Sequence, residues 1–318
     1  MQESGASQAA IRRWNAMRPV PVRLILGGLH RGSGDPTYAE RDGTIWRAMR
    51  TPVGPATLAV PADVPDGRVV ARAWGSGADW ALEHLPAMLG DADDPAGFTP
   101  QHTALSRAWR RYADVRVPST GLVFEAFLAA VLEQKVTGHE AWYGWRHLVR
   151  GHGDPAPAPT TAPTLFVPPA ASTVRSIPSW TWRRLSVDHA RSSTIVRAAQ
   201  RADALERTLA MSGADADRAL RSLPGVGVWT AAEVRQRAHG DCDAVSFGDY
   251  HLSARVGLLL RGVRFDDAEM AEALEAYRPH RYRVQRLVEL AGSMPERKGP
   301  RMPPRTHLPT PRNSRRVT

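Results

Sequence analysis

The chain has 318 residues, enough for one large core or two modest ones, and its length favours two domains. It carries 42 Lys and Arg against 32 Asp and Glu, a formal charge of +10, and a single cysteine, Cys242. One cysteine excludes an intramolecular disulfide and a cysteine-ligated iron–sulfur cluster and fits a reducing cytoplasm; no apolar run is long enough to cross a bilayer.

Residues 1–18 have no continuous apolar stretch, so no signal peptide is expected there, only a short helix or a frayed end. Alternation around Val22, Leu24 and Leu26 predicts a strand over 20–29. Two more strands are predicted over 43–49 and 56–60, joined by the turn signal Thr51-Pro52-Val53-Gly54-Pro55, and a fourth over 68–74. A helix follows over 78–89, with Trp80, Leu82, Leu85 and Met88 on its apolar side. From residue 99 the pattern is almost wholly helical. Helices are expected over 101–112, 122–135 and 139–150, then, after a proline-rich surface linker at 154–169, over 171–176, 186–210, 266–277 and 280–290.

The charge is concentrated at one end. Seven basic residues (Arg297, Lys298, Arg301, Arg305, Arg312, Arg315, Arg316) and no acidic ones lie in 297–318, leaving 35 against 32, about +3, for the remainder. A Pro/Arg-rich tail without apolar periodicity is expected to be disordered, and either attracts phosphates or is an incidental solvated end.

The stretch 222–260 organises the rest. Leu223-Pro224-Gly225-Val226-Gly227 stands between a short helix over 215–221 and a second over 228–238 that ends at Gly240. A helix, a glycine turn and a helix present backbone N–H groups at a helix N-terminus, where a phosphate can come close. Twenty-two residues beyond Gly227 stands Asp249, in Gly248-Asp249-Tyr250-His251, before another apolar helix.

Leu-Pro-Gly-Val-Gly-x-Trp-Thr-Ala, followed by Gly-Asp at this distance, resembles the helix-hairpin-helix base-excision DNA glycosylases, and within them the bacterial 3-methyladenine DNA glycosylase II family. Gln134-Lys135-Val136-Thr137 after an apolar helix, and Tyr277-Arg278-Pro279-His280-Arg281, match further family steps, so the resemblance covers most of 20–292. It implies an α+β fold. A small N-terminal α/β domain (residues 18–98, an antiparallel sheet plus helix) would precede an all-α helix-hairpin-helix glycosylase domain (99–296) and the disordered basic tail (297–318).

The resemblance also assigns roles. Asp249 becomes the catalytic carboxylate, since a fixed anion stabilises the oxocarbenium-like sugar and orients or deprotonates the attacking water. An Asp before an apolar helix is equally a favoured N-cap, and the two readings are compatible. Trp229 stands where bifunctional relatives have a nucleophilic lysine. With only Lys135 and Lys298 in the chain, this implies a monofunctional enzyme whose Trp stacks on a flipped base; as a plain residue it reads as a core anchor. Gly225, Val226, Gly227 and Thr230 would contact backbone phosphates, with Lys135 at the wedge position. A helix–helix turn without a ligand, as in non-enzymatic DNA-binding modules, is the alternative. No cofactor is required, although the hairpin carbonyls of Arg221, Leu223 and Val226 bind a monovalent cation in this family. His239 and His251 have no second metal ligand at a useful spacing, so no metal is expected.

Glu233, four residues after Trp229, replaces a family Tyr, and a second pocket aromatic falls near Glu289. Trp229 and Glu233 share a helix face, and stacking plus a carboxylate would favour cationic alkylated bases such as 3-methyladenine or 7-methylguanine. A solvated helix charge is the plainer reading. The expectation is thus a cytoplasmic, monomeric glycosylase acting on double-stranded DNA with damaged bases, without a membrane partner. Another lesion class and a non-catalytic binding module are the alternatives.

Overall fold

A computed structural model describes residues 9–292. The chain opens with β1 (Ala10–Asn15), whose side chains alternate between half-buried and exposed. The segment expected as a helix or frayed end is therefore a strand. It pairs antiparallel with a strand far along the chain, Ala10 opposite Ala73 and Asn15 opposite Arg68, a non-local contact that local pattern cannot reveal. The strand expected over 20–29 is also corrected. Only Val20 makes a bridge, to Val64, and α1 (Val22–Leu26) follows, then a single 3-10 turn at Gly27–Leu29. Val22, Ile25, Leu26 and Leu29 are the buried positions, spaced by three and four, so the helical period outweighs the apparent alternation.

Strands β2 (Tyr38–Arg41), β3 (Thr44–Thr51), β4 (Gly54–Pro61) and β5 (Arg68–Trp74) complete an antiparallel sheet of order β1-β5-β4-β3-β2. The hairpin turn expected at 51–55 joins β3 to β4, with Thr51 opposite Gly54. The helix expected over 78–89 is split into α2 (Ala78–Glu83) and α3 (Leu85–Met88), with Pro86 in the first turn of the second piece. These helices and α1 bury Ile25, Leu26, Leu82, Leu85, Met88 and Leu89 against Ile45, Met49, Leu58 and Val69 of the sheet.

The helical body starts with α4 (Thr103–Tyr112) and α5 (Val123–Leu132). Helix α5 is apolar almost all round, so it must be buried on every side, and Val123 and Ala126 to Leu132 are. Both its ends are satisfied by charges of the sign its dipole favours. The Glu206 carboxylate accepts the N–H groups of Val123 (2.9 Å) and Phe124 (2.8 Å), and the Arg191 guanidinium donates to the Leu132 carbonyl (2.8 Å). After α6 (Gly138–His152), which begins in a Thr137/Glu140 capping box, the proline-rich segment forms a small ribbon of β6 (Asp154–Pro155) and β7 (Phe166–Val167). It lies against the sheet, with Leu165 and Val167 packed on Ala48.

Helices α7 (Ala171–Ser176), α8 (Ser179–Arg184), α9 (His189–Ala199), α10 (Ala202–Glu206) and α11 (Gly213–Arg221) follow, then α12 (Val228–Val234), which runs on as a π-helical turn at Arg235–His239. The expected 186–210 helix is thus divided among α9, α10 and a 3-10 turn at Arg207–Ala210. The chain closes with α13 (Leu252–Arg261), α14 (Asp267–Glu275) and α15 (Arg281–Ala291).

One core joins α5, α6, α9 and α12, and a second joins α4, α13, α14 and α15. The segment between α12 and α13, which carries Asp249, crosses from one core to the other. The basic tail at 297–318 lies outside the described residues.

Candidate active site and nucleic-acid interface

The glycine turn lies between α11 and α12 as its sequence predicts. Gly225 has φ +94°, and a Cβ there would lie 2.1 Å from the Thr194 hydroxyl, so both backbone and space require glycine. Gly227 is the extended N-cap of α12 and faces open space. The turn is fastened from two helices. The Thr194 hydroxyl of α9 shares its proton between the Ala190 carbonyl (3.0 Å) and the Pro224 carbonyl (3.3 Å), and the Gln134 amide, just beyond α5, donates to the Gly225 carbonyl (3.0 Å) and the Thr230 hydroxyl (2.8 Å). Within the turn, the Val226 N–H donates to the Leu223 carbonyl (3.1 Å). The side chains of Val226 and Thr230 are buried, so what these two residues offer outward is backbone. Lys135 follows Gln134 with φ +52° and is exposed, in the connection between α5 and α6. Gln134 therefore ties the expected wedge segment directly to the hairpin.

Asp249 is half-buried and follows Gly248, whose φ of +86° again demands glycine. Its Oδ1 accepts the N–H groups of His251 (2.9 Å) and Leu252 (3.0 Å), satisfying the start of α13 from just upstream of the N-cap, which is His251. Among the described residues no hydrogen bond or ion pair reaches Oδ2. Asp249 is thus a carboxylate oriented by backbone donors, with one oxygen left to act on something else. Trp229, the second residue of α12, is half-buried.

Glu233 is not a solvated helix charge: it is 6% exposed. One oxygen pairs with Arg237 (2.6 Å), one turn further on, and the other accepts the Ser246 hydroxyl (2.6 Å). Burial raises the Glu233 carboxyl above the usual range, helped by the charges of Glu133 and Glu289, while Arg237 and Ser246 oppose the shift. For Arg237, burial disfavours the charge, but the surrounding carboxylates, Glu233 foremost, outweigh it and hold the guanidinium charged.

Two more ion pairs stand nearby, Arg31–Glu133 and Arg286–Glu289, each at 3.0 Å. The Arg286 guanidinium also donates to the Leu24 carbonyl (2.7 Å) and Arg237 to the Gly28 carbonyl (3.3 Å), so the loop at α1 is bound to this region. Sequence reasoning missed Ser246, Gln236 and Gln285 here, and nothing in their local pattern marks them. Arg237 was missed as well, although its i+4 spacing from Glu233 marks it as a partner. His239 is half-buried against the Thr208 hydroxyl (3.0 Å), and its partial burial lowers its pKa. Among the described residues no cluster of three His, Cys, Asp or Glu side chains could hold a metal.

No family model matches the sequence, and no curated protein matches it. Solved structures do match. A 3-methyladenine DNA-glycosylase from Archaeoglobus fulgidus superposes with a TM-score of 0.74 at 17% identity, over 88% of this chain and 98% of that one. MBOgg1 in complex with a low-affinity DNA ligand gives 0.68 at 14% identity, over 92% and 96%. The apo 8-oxoguanine glycosylase/lyase of Clostridium acetobutylicum gives 0.67 at 10% identity, over 89% and 95%. The α+β fold, sheet first and helices after, is thus that of the helix-hairpin-helix DNA glycosylases.

Proposed function

We propose that this chain, with a glycosylase fold, is a monofunctional DNA N-glycosylase that extrudes a damaged nucleotide and hydrolyses its N-glycosidic bond. The observation that carries the reading is Asp249, a half-buried carboxylate held through Oδ1 by two backbone N–H groups while Oδ2 has no partner among the described residues. In the reaction Oδ2 would face the sugar. As the base departs, positive charge grows on the ring, and a fixed anion lowers the barrier without having to reorganise. The same carboxylate would orient or deprotonate the attacking water, leaving an abasic site and a free base.

Trp229, in place of a lysine, supports hydrolysis without a Schiff base and therefore without strand nicking. The hairpin N–H groups at Gly225 and Gly227 would grip a phosphate at the head of α12, the Val226 N–H being spent inside the turn on Leu223, with Lys135 reaching the duplex beside them. The carbonyls of Arg221, at the end of α11, and of Leu223 and Val226 in the turn are neutral oxygens that would suit a monovalent cation.

Alkylated bases, 3-methyladenine and 7-methylguanine, are the proposed substrates, supported by a half-buried Trp229 on which a cationic ring can stack. A second lesion class, neutral bases read by hydrogen bonds, is favoured by one observation: Glu233 is already neutralised by Arg237. Base release from a duplex with one 7-methylguanine, for wild type and Asp249→Asn, tests the proposal, with strand breakage scored before and after alkali. Release by wild type alone, with breakage only after alkali, is the expected result. Equal release by both proteins would remove Asp249 from the mechanism.

A further inference from the structure

Ser246 lies three residues before Asp249 and is 1% exposed. Its hydroxyl donates to Glu233 Oε1 (2.6 Å) and accepts from the side-chain amides of Gln236 (2.8 Å) and Gln285 (3.2 Å). A serine hydroxyl has one proton and two lone pairs, and all three are used. The Ser246 backbone is held as well. Its N–H donates to Gln285 Oε1 (3.1 Å), and its carbonyl accepts the Asp249 N–H (3.2 Å). Gln236 also donates to the Ala244 carbonyl (2.7 Å), so the segment entering the Asp249 turn is gripped at two residues. These grips come from α12, its π-helical turn and α15, and Asp267 of α14 accepts the Gly248 N–H (2.8 Å).

We propose that Glu233 and Ser246 are positioning residues for Asp249: the Arg237–Glu233 pair fixes the Ser246 hydroxyl, and Ser246 fixes the turn that aims the carboxylate. The inference rests on the reading of Asp249 as the catalytic carboxylate. A lesion-contacting role would require Glu233 to offer an oxygen, and both are taken inside the protein. A purely structural role would not require the network to converge on the residue whose carbonyl receives the Asp249 N–H. In a buried site each of these bonds is expensive to leave unmade, so the network behaves as one unit and not as independent contacts. Displacements of an ångström at a reacting group cost orders of magnitude in rate, whereas DNA affinity, set at the hairpin, should be untouched.

The test compares wild type, Glu233→Gln, Ser246→Ala and the double variant in single-turnover release of 7-methylguanine and of hypoxanthine, a neutral lesion. Affinity for a duplex with a non-cleavable abasic-site analogue is measured alongside. Each single variant should slow release of both bases alike, by roughly tenfold or more, with affinity unchanged, and the double variant should be no slower than the worse single one. Additive losses, a loss confined to the cationic lesion, or wild-type rates in Glu233→Gln would overturn the inference. Glu233→Gln keeps the side chain's volume and an acceptor for Ser246, so it remains informative if Ser246→Ala fails to fold. Amide hydrogen exchange at Asp249 reads the positioning without any turnover. Exchange should accelerate in both variants, and unchanged protection would sink the idea whether or not the protein releases a base. Asp249→Asn separates the two readings: if it retains full release, the catalytic assignment falls. If it is inactive while the positioning variants match wild type, only the positioning role falls.

Discussion

Two carboxylates, sixteen positions apart in sequence, show opposite ways of holding an acid. Asp249 is half-buried and held by neutral backbone N–H groups through one oxygen. Glu233 is buried, paired with a guanidinium through one oxygen and with a hydroxyl through the other. The first arrangement leaves an anion with unspent capacity, and the second consumes it. A charge that is to act on a substrate must be oriented without being neutralised, and only Asp249 meets that condition.

The comparison breaks most visibly at Asp249 itself. Asp249→Asn keeps the oxygen that accepts from His251 and Leu252 but removes the charge, so base release should fall by roughly 10²–10⁴-fold. Asn serves a helix start about as well as Asp, so the unfolding free energy from urea titration should stay within about 0.5 kcal/mol of wild type. A comparable loss of stability would mean that the carboxylate is chiefly structural. Arg237→Met makes the converse case. It leaves the Glu233 charge buried without its partner, which should cost about 3–5 kcal/mol, read as a lower urea midpoint. A neutral outcome would show that Glu233 is already protonated in the folded protein.

A third carboxylate sharpens the contrast through pH. Asp93 receives the Arg283 guanidinium (2.9 Å to Oδ2), the Cys242 thiol (2.8 Å) and the Val117 N–H (2.9 Å), which join the sheet domain to α15. Burial opposes ionisation there, but the bonds to Arg283, Cys242 and Val117 outweigh it and hold the Asp93 carboxyl below its usual range. Burial, together with the Asp93 charge, pushes the Cys242 thiol up, so it stays protonated. A folded pKa below the unfolded value of about 3.9 gives stability that is present above that value and lost as pH falls through the lower folded one. Asp93→Asn should therefore destabilise the protein at pH 7 and reduce its further loss of stability below about pH 4. Thermal unfolding across that range would check it, and an unaltered acid limb would assign the loss to other groups. The smallest effect is expected at Gln134. Gln134→Ala unties the connection carrying Lys135 from the hairpin, which should cost about 1 kcal/mol of stability, and DNA affinity should fall through faster dissociation.

What the sequence made legible follows contact range. The Thr51–Gly54 turn, β5 and α7 announce themselves through residues a few positions apart, as do the glycine turn and the Gly248-Asp249 step. β1 was misread because its partner is β5, and α1 because Val22, Leu24 and Leu26 fit two periods until burial of Ile25 and Leu29 selects one. Helix α8 went unseen between Pro178 and the turn at Ser186, being only six residues long. At the site, Glu233 could be placed on the face of α12 but not explained. Its hydroxyl partner is thirteen residues away across a turn, and Gln285, which completes the cluster, arrives from the last helix. Periodicity says which way a side chain points, not what meets it there.

The fastening of the glycine turn by Thr194 and Gln134 has a kinetic corollary. A loop that must be ordered by its ligand spends part of the contact energy on that ordering, and its encounters mostly fail while it searches for shape. Here the carbonyls at 224 and 225 already receive side-chain donors, Thr194 and Gln134, so the N–H groups of Gly225 and Gly227 keep a fixed aim. In the proposed role, such a turn would engage and leave one phosphate after another at little entropic cost, as surveying long stretches of undamaged duplex would require.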